Sequence, residues 1–228
     1  MKIQKPSKQA ATIVIIIMCV VLVLGIKTLT AASRGELSNA KLARMKGDTQ
    51  APIKIIEFLD FQCPSCANGS KFLKKYMQEH PGKILLQVKY FPLSRHQHAF
   101  LSSYYAECAA RQSRFWDFQD RLIEQQAKWD KLQDVRPFFD LLAKEAGLDL
   151  QELKSCVTDE SVQSVVLADK EEGKKLGVQS TPTYFVNDEM MVGVSPLEKK
   201  LDLLIAPPKS SSEPKAVEPA QAPMSTEH

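Results

Sequence analysis

The chain has 228 residues, of which 30 are basic and 27 acidic, and its formal net charge is +3. Charges of both signs are mixed along the chain, which argues against the basic footprint of a nucleic-acid-binding protein. Folded domains usually contain about 100–200 residues, so we expect one domain with non-globular ends.

The N-terminal residues have the pattern of an export signal. Three lysines come first: Lys2, Lys5 and Lys8. An apolar run of 17 residues, Ala10 to Ile26, follows and ends at Lys27. Membrane spans need about 17–25 residues and cleaved signal cores about 7–15, so the length favours an uncleaved transmembrane anchor over residues 1–32. A cleaved signal with a mature N-terminus near Ser33 is the alternative.

The positive-inside rule keeps the N-terminal lysines in the cytoplasm. We therefore expect a single-pass protein of the cytoplasmic (inner) membrane, with the rest of the chain on the periplasmic side.

Residues 33–47 are polar and mixed, which predicts a linker that ends in a turn at Gly47-Asp48. The domain is expected over residues 48–205. Its first strand is predicted from Ile53 to Leu59, where a near-continuous apolar run is typical of a strand covered on both faces.

A two-cysteine motif, Cys63-Pro64-Ser65-Cys66, follows this strand. Pro64 fits the first turn of a helix, where its missing N–H costs nothing. Cys63 would then lie at a helix N-terminus, where free N–H groups and the helix dipole stabilise a thiolate. We expect a lowered pKa and an attacking role for Cys63, and Cys66, one turn further on, could close the ring and release a mixed disulfide.

Half of a zinc site is the other interpretation of two cysteines at this spacing. Zinc would need two more ligands, and the chain has no second motif of this kind. The remaining candidates match no usual finger spacing: Cys108, Cys156, His96 and His98. We therefore predict redox chemistry, with no metal and no other cofactor, and we expect both histidines to face solvent.

A helix to about Glu79 and a strand from Ile84 to Phe91 complete a right-handed βαβ unit. Residues 97–177 then show only helical patterns, which predicts an inserted helical lobe. Its helices are expected at 99–111, 115–126, 135–146, 150–156 and 161–175. The aromatic residues Phe115, Trp116 and Phe118 are predicted to belong to its core.

Four of the five cysteines lie outside the N-terminal apolar run, an even number that suits an oxidising compartment. Cys108 and Cys156 fall in two different helices of the lobe. A disulfide between them would gain roughly 4 kcal/mol from loop closure, and two buried free thiols are the alternative. Cys19 lies inside the apolar run, where it would act as a small hydrophobe.

The chain returns to the sheet at Pro182, which starts a strand that is followed by a short partner from Met190 to Val194 and a last helix from Pro196 to Leu204. From the residues alone, a trans peptide bond before Pro182 is expected, since only about 5–6% of such bonds are cis. Residues 206–228 are rich in Pro, Ser and Glu and predict a disordered tail.

Two motifs bracket the helical insertion: E-F-L-D-F-Q-C-P-S-C at residues 57–66 and G-V-Q-S-T-P-T-Y-F-V at residues 177–186. Together they resemble the DsbA-like thiol:disulfide oxidoreductases of the thioredoxin superfamily, over about residues 48–204. The resemblance implies a thioredoxin-like α/β fold with an inserted helical subdomain. The N-terminal transmembrane helix predicted above would precede this domain.

By this resemblance, Cys63 is the exposed nucleophile, Cys66 is the buried resolving cysteine, and Pro182 is a cis-proline that faces them. Glu57 is implied as a buried acid that shuttles the proton of the resolving thiol. Substrate would be bound by Thr181, Pro182, Pro64 and Ser65. Ser65 departs from the best-known oxidases, which carry a histidine there, so we expect a less extreme oxidant.

The sequence thus predicts a membrane-anchored enzyme that forms disulfides in unfolded exported proteins with reduced cysteines. The resemblance implies that a membrane quinone-linked partner reoxidises it. Two alternatives stay open. The first is a membrane-anchored disulfide reductase or isomerase, and the second is a non-enzymatic tethered binding module.

Overall fold

The computed structural model describes residues 17–22 and 39–205. Residues 17–22 are helical, whereas the rest of the predicted anchor 1–32 and the predicted tail 206–228 lie outside the described residues. Within the two described ranges, no helix is long and apolar enough to cross a membrane. The membrane anchor therefore stays a prediction.

A mixed sheet of five strands organises residues 39–205. The strands are β1 (Met45–Gly47), β2 (Ile53–Leu59), β3 (Ile84–Tyr90), β4 (Thr183–Val186) and β5 (Glu189–Val192). Their order across the sheet is β1-β3-β2-β4-β5. The central strand β2 pairs parallel with β3 and antiparallel with β4, while β1 and β5 add antiparallel edges.

Eight helices lie between residues 64 and 205, all of which are described. They are α1 (Pro64–Glu79), α2 (Ala99–Arg111), α3 (Phe115–Glu124), α4 (Gln126–Trp129), α5 (Arg136–Glu145), α6 (Leu150–Val157), α7 (Glu160–Lys175) and α8 (Val194–Ile205). Helix α1 joins the parallel strands β2 and β3, and α2 to α7 form the insertion between β3 and β4. The predicted thioredoxin-like fold with a helical insertion is confirmed.

Strand β2 is covered on both faces, as its continuous apolar pattern predicts. Ile53 and Ile55 belong to a core that includes Leu73 of α1 and Leu197 of α8. Phe58 belongs to a second cluster with Phe91. Because the strand is buried on both sides, the residues at its carboxyl end are held rigidly at the point where the cysteine motif begins.

The helical lobe has its own aromatic core. Trp129 and Phe139 are fully buried and meet edge to face, with their ring centroids 5.1 Å apart. Phe115 and Phe118 are buried in the same cluster, whereas Trp116 is only partly buried and its Nε1 donates to the carbonyl of Met45 at 3.2 Å. The lobe is therefore packed against the sheet at strand β1.

Two expectations are corrected by the fold. The linker predicted over residues 33–47 does not extend to residue 47, because Met45–Gly47 forms β1 and pairs with β3. His96 and His98 do not face solvent freely. The Nδ1 of His96 lies 2.7 Å from the buried carboxylate of Asp60, and His98 is 5% exposed with its Nε2 2.7 Å from the carbonyl of Leu132. The His96 ring thus contacts a carboxylate of the loop after β2, and the His98 ring contacts a backbone carbonyl of the lobe.

Candidate active site

The cysteine motif sits at the start of helix α1. Cys63 is the N-cap residue in extended conformation, with φ −79° and ψ 121°, and Pro64 occupies the first helical turn. The N–H groups of Cys66 and Ala67 donate to the carbonyl of Cys63 at 3.0 and 3.1 Å. The start of the helix also places the backbone N–H groups of Ser65 and Cys66 where they lower the pKa of the Cys63 thiol.

Cys63 and Cys66 are both free thiols in the structure. The Cys63 pKa is lowered to about 5, first because the Cys66 thiol hydrogen-bonds to its sulfur. Burial opposes this effect, while Thr181 and the backbone N–H groups of Cys66 and Ser65 reinforce it. The sequence predicted the lowered pKa from the helix terminus, but the neighbouring thiol makes the larger contribution. At neutral pH Cys63 is therefore a thiolate.

Cys66 has the opposite character. It is fully buried, and burial together with the neighbouring Cys63 raises its pKa well above the usual range. Cys66 therefore stays protonated when Cys63 is ionised, so the pair holds one proton between two sulfurs. Any reaction in which Cys66 leaves as a thiolate or attacks as one requires a proton donor or acceptor nearby.

Glu57 is placed to meet that need. It is fully buried on β2, and burial raises its pKa to about 8. Its charge would raise the Cys66 pKa further, so the two groups sense each other. Tyr184 lies opposite Glu57 on β4 and opposes the pKa shift, although neither carboxyl oxygen meets hydrogen-bond geometry. Glu57 is thus neutral at pH 7 and can exchange a proton near pH 8.

A loop that ends in a cis-proline faces the cysteines. The Thr181–Pro182 peptide bond is cis, in agreement with the resemblance and against the expectation from residues alone. In its thiol form the Sγ of Cys63 donates to the carbonyl oxygen of Thr181 at 3.4 Å. This contact also corrects one expectation, because Cys63 was predicted to be exposed and is only 5% exposed. The Thr181 loop covers it on one side.

The remaining predicted substrate-binding residues surround the sulfur. Pro64 and Ser65 are exposed on the first turn of α1, and Thr181 is 8% exposed. The predicted residues Cys63, Cys66, Glu57, Thr181 and Pro182 are therefore brought together by the ends of β2, α1 and the loop before β4.

Sequence reasoning missed a residue that anchors the motif. The buried side chain of Gln126, at the start of α4, donates through Nε2 to the carbonyls of Phe61 at 2.6 Å and Cys63 at 3.1 Å. It fixes the loop that carries Cys63 to the helical lobe. No local pattern could have identified it, because a glutamine in a helix is usually solvated and this contact joins residues more than 60 positions apart.

The second pair of cysteines forms a disulfide. Cys108 of α2 and Cys156 of α6 are bonded, with their Cα atoms 5.9 Å apart. Of the two possibilities left open by the sequence, the structure has the bridge. Within the described ranges, no group of three or more His, Cys, Asp or Glu side chains could hold a metal ion.

A thiolate at a helix N-terminus, a buried partner thiol and a facing cis-proline on a mixed sheet define a thioredoxin-like protein. The chain belongs to the family Thioredoxin_4, whose model, described as Thioredoxin, matches residues 40–204. The match starts before residue 48, which agrees with the position of β1 inside the domain.

Curated proteins similar to this chain include a disulfide bond formation protein and several Na(+)/H(+) antiporters. Disulfide bond formation protein D of Bacillus subtilis is 27% identical over 151 residues, which cover 64% of this chain and 68% of the relative. The Na(+)/H(+) antiporter NhaA 1 of Mycolicibacterium gilvum is 31% identical over 149 residues, which cover 63% of this chain. The chain spans only 23% of the length of that antiporter, and 21% of NhaA 3 of Salinispora tropica.

The structural likeness concerns the same domain. BdbD of Bacillus subtilis superposes with a TM-score of 0.62 and 23% identity, over 70% of this chain and 91% of that one. DsbA2 of Pseudomonas aeruginosa gives a TM-score of 0.58 and 24% identity, over 71% and 93% of the two chains. The predicted resemblance to DsbA-like proteins is confirmed at the level of family and fold.

Proposed function

We propose that the chain is a thiol:disulfide oxidoreductase that forms disulfides in exported proteins by passing on a Cys63–Cys66 disulfide. The observation that carries this proposal is the Cys63 sulfur, which has a pKa of about 5 and lies beside Cys66 and the Thr181 carbonyl. A sulfur that is stable as a thiolate is a good leaving group in thiol–disulfide exchange. A disulfide that contains it is therefore readily given up to a substrate.

The reaction has two exchange steps. A substrate thiolate attacks Sγ of Cys63, the Cys63–Cys66 bond breaks, and Cys66 leaves and takes a proton from the neutral Glu57 carboxyl. A second substrate thiolate then attacks the substrate sulfur of the mixed disulfide, and Cys63 leaves as a thiolate. Two electrons pass from the substrate thiols to the enzyme, and the substrate gains one disulfide.

An extended substrate segment would bind along the Thr181–Pro182 loop. Backbone groups of Thr181 would pair with it as an added strand, and the exposed Pro64 and Ser65 would border it on the other side. This arrangement brings a substrate sulfur to Cys63 without demanding a particular side chain. Recognition through the backbone suits an enzyme that acts on many unfolded chains.

The low Cys63 pKa favours the oxidase direction, because a stabilised thiolate stabilises the reduced enzyme. Thioredoxin has a cysteine pKa of about 7 and a reduction potential of about −270 mV. DsbA has a cysteine pKa of about 3.5 and a reduction potential of about −120 mV. A pKa of about 5 lies between them. We expect an intermediate potential of roughly −230 to −150 mV from equilibration with glutathione. A value at or below that of thioredoxin would instead favour the membrane-anchored reductase.

Two cysteine variants test the mechanism in an assay that oxidises a reduced protein. Cys63→Ala should lose turnover and form no adduct, because the attacked sulfur is gone. Cys66→Ala should also lose turnover but, when treated with oxidised glutathione as the disulfide donor, its Cys63 thiolate should displace one glutathione thiolate and keep the other as a mixed disulfide, which mass spectrometry detects. Cys19→Ala is the matched control and should keep full activity. Normal turnover by Cys63→Ala would reject the proposed mechanism.

The same proposal includes the setting of the enzyme. Residues 1–32 would anchor it in the inner membrane, and the domain at residues 48–205 would act in the periplasm. A quinone-linked membrane protein would reoxidise the enzyme. Residues 206–228 would form a disordered tail. Protease added to spheroplasts should digest the domain while leaving the anchor with the membrane. A soluble mature protein that starts near Ser33 would contradict the anchor and leave the chemistry intact.

A non-enzymatic binding module is the remaining alternative. It predicts stoichiometric metal on the reduced protein and no exchange with peptide thiols. The buried Glu57 beside Cys66 favours the enzyme, since a binding surface has no use for a neutral buried acid next to a thiol.

A further inference from the structure

The turn between strand β2 and Cys63 begins at Asp60, a fully buried aspartate. Its carbonyl oxygen accepts from the N–H of Cys63 at 3.0 Å, and its Oδ1 accepts from the N–H of Gln62 at 2.8 Å. Its Oδ2 accepts from the N–H of Leu93 at 2.9 Å and lies 2.7 Å from Nδ1 of His96. Asp60 thus ties the turn that carries the nucleophile to the loop after β3.

An exposed turn elsewhere in the chain shows which of these bonds is unusual. Asp48 forms the same turn, since its carbonyl accepts from the N–H of Ala51 at 3.0 Å and its Oδ1 from the N–H of Gln50 at 2.8 Å. Those two bonds therefore suffice for the turn itself. Asp60 differs from Asp48 because it is buried and its second carboxylate oxygen bonds to a segment 33 positions away.

This additional bond replaces a rung of the parallel ladder between β2 and β3. Strand β2 ends at Leu59, whose carbonyl accepts from the N–H of Phe91 at 2.8 Å. Bonds in a parallel ladder are evenly spaced, so the next rung would join the carbonyl of Phe61 to the N–H of Leu93. Here the Asp60 carboxylate accepts from Leu93 instead. The chain can therefore leave the sheet at Asp60 without leaving the Leu93 N–H unpaired.

The bonds on both sides of Asp60 fix the peptide unit that joins it to Leu59. The carbonyl of this unit points to β3, so its N–H, which belongs to Asp60, points to the opposite side. The pairing of β2 with β4 ends at Phe58 opposite Thr183, so the Asp60 N–H lies beyond that ladder. It lies where it lowers the pKa of the buried Cys66 thiol, against the larger effect of burial.

We propose that Asp60 is a positioning residue of the exchange reaction: its carboxylate holds the end of β2 so that the Asp60 N–H stabilises the Cys66 sulfur as it leaves. The inference rests on the proposed function and adds a role in one step of it. In the first exchange a substrate thiolate bonds to Sγ of Cys63, the Cys63–Cys66 bond breaks, and its electron pair goes to Cys66. An N–H aimed at a sulfur that gains charge accelerates that step.

The dithiol form of the full-length protein, mixed with oxidised glutathione, separates the two exchange steps. First the Cys63 thiolate displaces one glutathione thiolate and keeps the other as a mixed disulfide. Then Cys66 loses its proton, attacks Sγ of Cys63 and releases the second glutathione as a thiolate. This closure is the reverse of the step in which Cys66 leaves, so it passes through the same type of transition state. Acid quenching and mass spectrometry follow both species.

We expect Asp60 variants to slow closure alone. Asp60→Ala should form the mixed disulfide at the wild-type rate and close it about 10-fold more slowly, because a donor is displaced from a developing charge. Asp60→Asn should close it about 3-fold more slowly, since one oxygen remains and either Gln62 or Leu93 loses its acceptor. The equilibrium constant with glutathione should change by less than about 2-fold, because sulfur in a thiol or a disulfide is only a weak acceptor.

The matched control is Asp48→Asn, which changes the same turn at an exposed position and should leave both steps at the wild-type rate. Slowing of both steps by the same factor would overturn the inference, because Asp60 would then only hold the shape of the site. A Cys63 thiolate whose ultraviolet absorbance titrates well above pH 5 in the Asp60 variants would have the same meaning.

Wild-type closure in Asp60→Asn would overturn the inference even if Asp60→Ala fails to fold. Absence of any mixed disulfide at Cys63 in the wild type would instead refute the proposed function.

Discussion

At the scale of single residues, the ionisation of Cys63 links redox state to stability. Its pKa in the folded dithiol form is about 5, against an ordinary value of 9.0. The stabilisation is fully present above pH 9, declines as pH falls, and is lost below about pH 5, where both folded and unfolded thiols are protonated. At pH 7 it amounts to on the order of 2 kcal/mol. It exists only in the dithiol form, because a disulfide does not titrate.

We therefore predict that the unfolding free energy of the dithiol form, relative to the disulfide form, rises by about 2 kcal/mol between pH 5 and pH 7. Glu57 is present in both forms, so its own pH dependence largely cancels in this difference. Guanidinium unfolding of a Cys108→Ala/Cys156→Ala protein, with and without a phosphine reductant, measures the two free energies without a contribution from the second disulfide. Cys63→Ser should remove the pH dependence, and a difference that stays constant across this range would contradict the assigned pKa.

The sequence predicted only part of this site, for a physical reason. Cys63, Cys66, Glu57 and Pro182 lie in local motifs whose chemistry depends on neighbours a few positions away. Gln126 could not be found in this way, because its role comes from an approach between distant segments. Such a residue has no signature of its own in a helical pattern. It becomes functional only through the fold.

At the scale of elements, helix α1 and strand β4 approach each other unusually closely at Gly69. A Cβ atom at this position would lie 2.1 Å from the hydroxyl oxygen of Tyr184, but 3.4 Å from the ring carbon Cζ that bears it. The hydroxyl is buried and has no hydrogen-bond partner among the described residues. Because Gly69 has no side chain, it leaves room for the hydroxyl oxygen of Tyr184. The close approach of Gly69 to Tyr184 helps to fix α1 beside Glu57.

We predict that Gly69→Ala destabilises the protein by about 1–3 kcal/mol, because the Tyr184 ring must move in a packed core. In a Tyr184→Phe background the same change should become stabilising by up to about 1 kcal/mol, since the clash is gone and alanine favours a helix. Denaturant unfolding of the four proteins measures both effects. Asn68→Ala, at the exposed neighbouring position, is the control for helix propensity alone. Equal effects of Gly69→Ala in both backgrounds would show that the hydroxyl is not the obstacle.

The elements themselves were largely predictable from periodicity. Helix α2 was expected at 99–111 and spans Ala99–Arg111, and β2 has the expected bounds. Strand β1 was missed because three residues are too few to show an alternating pattern, and its strand conformation depends on pairing with β3. Turn signals at Gly47-Asp48 correctly marked the end of that strand, although they were interpreted as the end of a linker.

At the scale of the whole molecule, Arg44 ties the segment before β1 to the sheet and the helical lobe. Its guanidinium forms an ion pair with Asp169 of α7, and its Nε lies 3.5 Å from the carboxylate of Glu107 of α2. It also stacks over the ring of Tyr90 at 4.5 Å and donates to the carbonyl of Val88. Arg44 is 4% exposed, so this network holds together parts of the chain that the sequence separates by up to 125 positions.

Replacing Arg44 tests how strongly this network couples the lobe to the sheet. Arg44→Met keeps the apolar stem but leaves two buried carboxylates without their main partner, which should cost about 3–5 kcal/mol. Burial already raises the pKa of Glu107, and Arg44 opposes that shift. Without Arg44 its pKa should rise further, so Glu107 can be neutral at low pH, and its stabilising contribution is lost as pH rises through that pKa. The destabilisation should therefore be smaller at pH 5 than at pH 8.

Urea unfolding at both pH values measures this difference, and Arg44→Met/Glu107→Gln should recover part of the loss at pH 8 by removing one unpaired charge. Arg136→Met, in an exposed ion pair with Asp134, should change stability by less than about 1 kcal/mol at either pH. If Arg44→Met were no more destabilising than Arg136→Met, the Arg44 network would not be what couples the lobe to the sheet. The coupling would then come from the apolar core together with other polar contacts, such as those of Gln126 with the Cys63 loop and of Trp116 with β1.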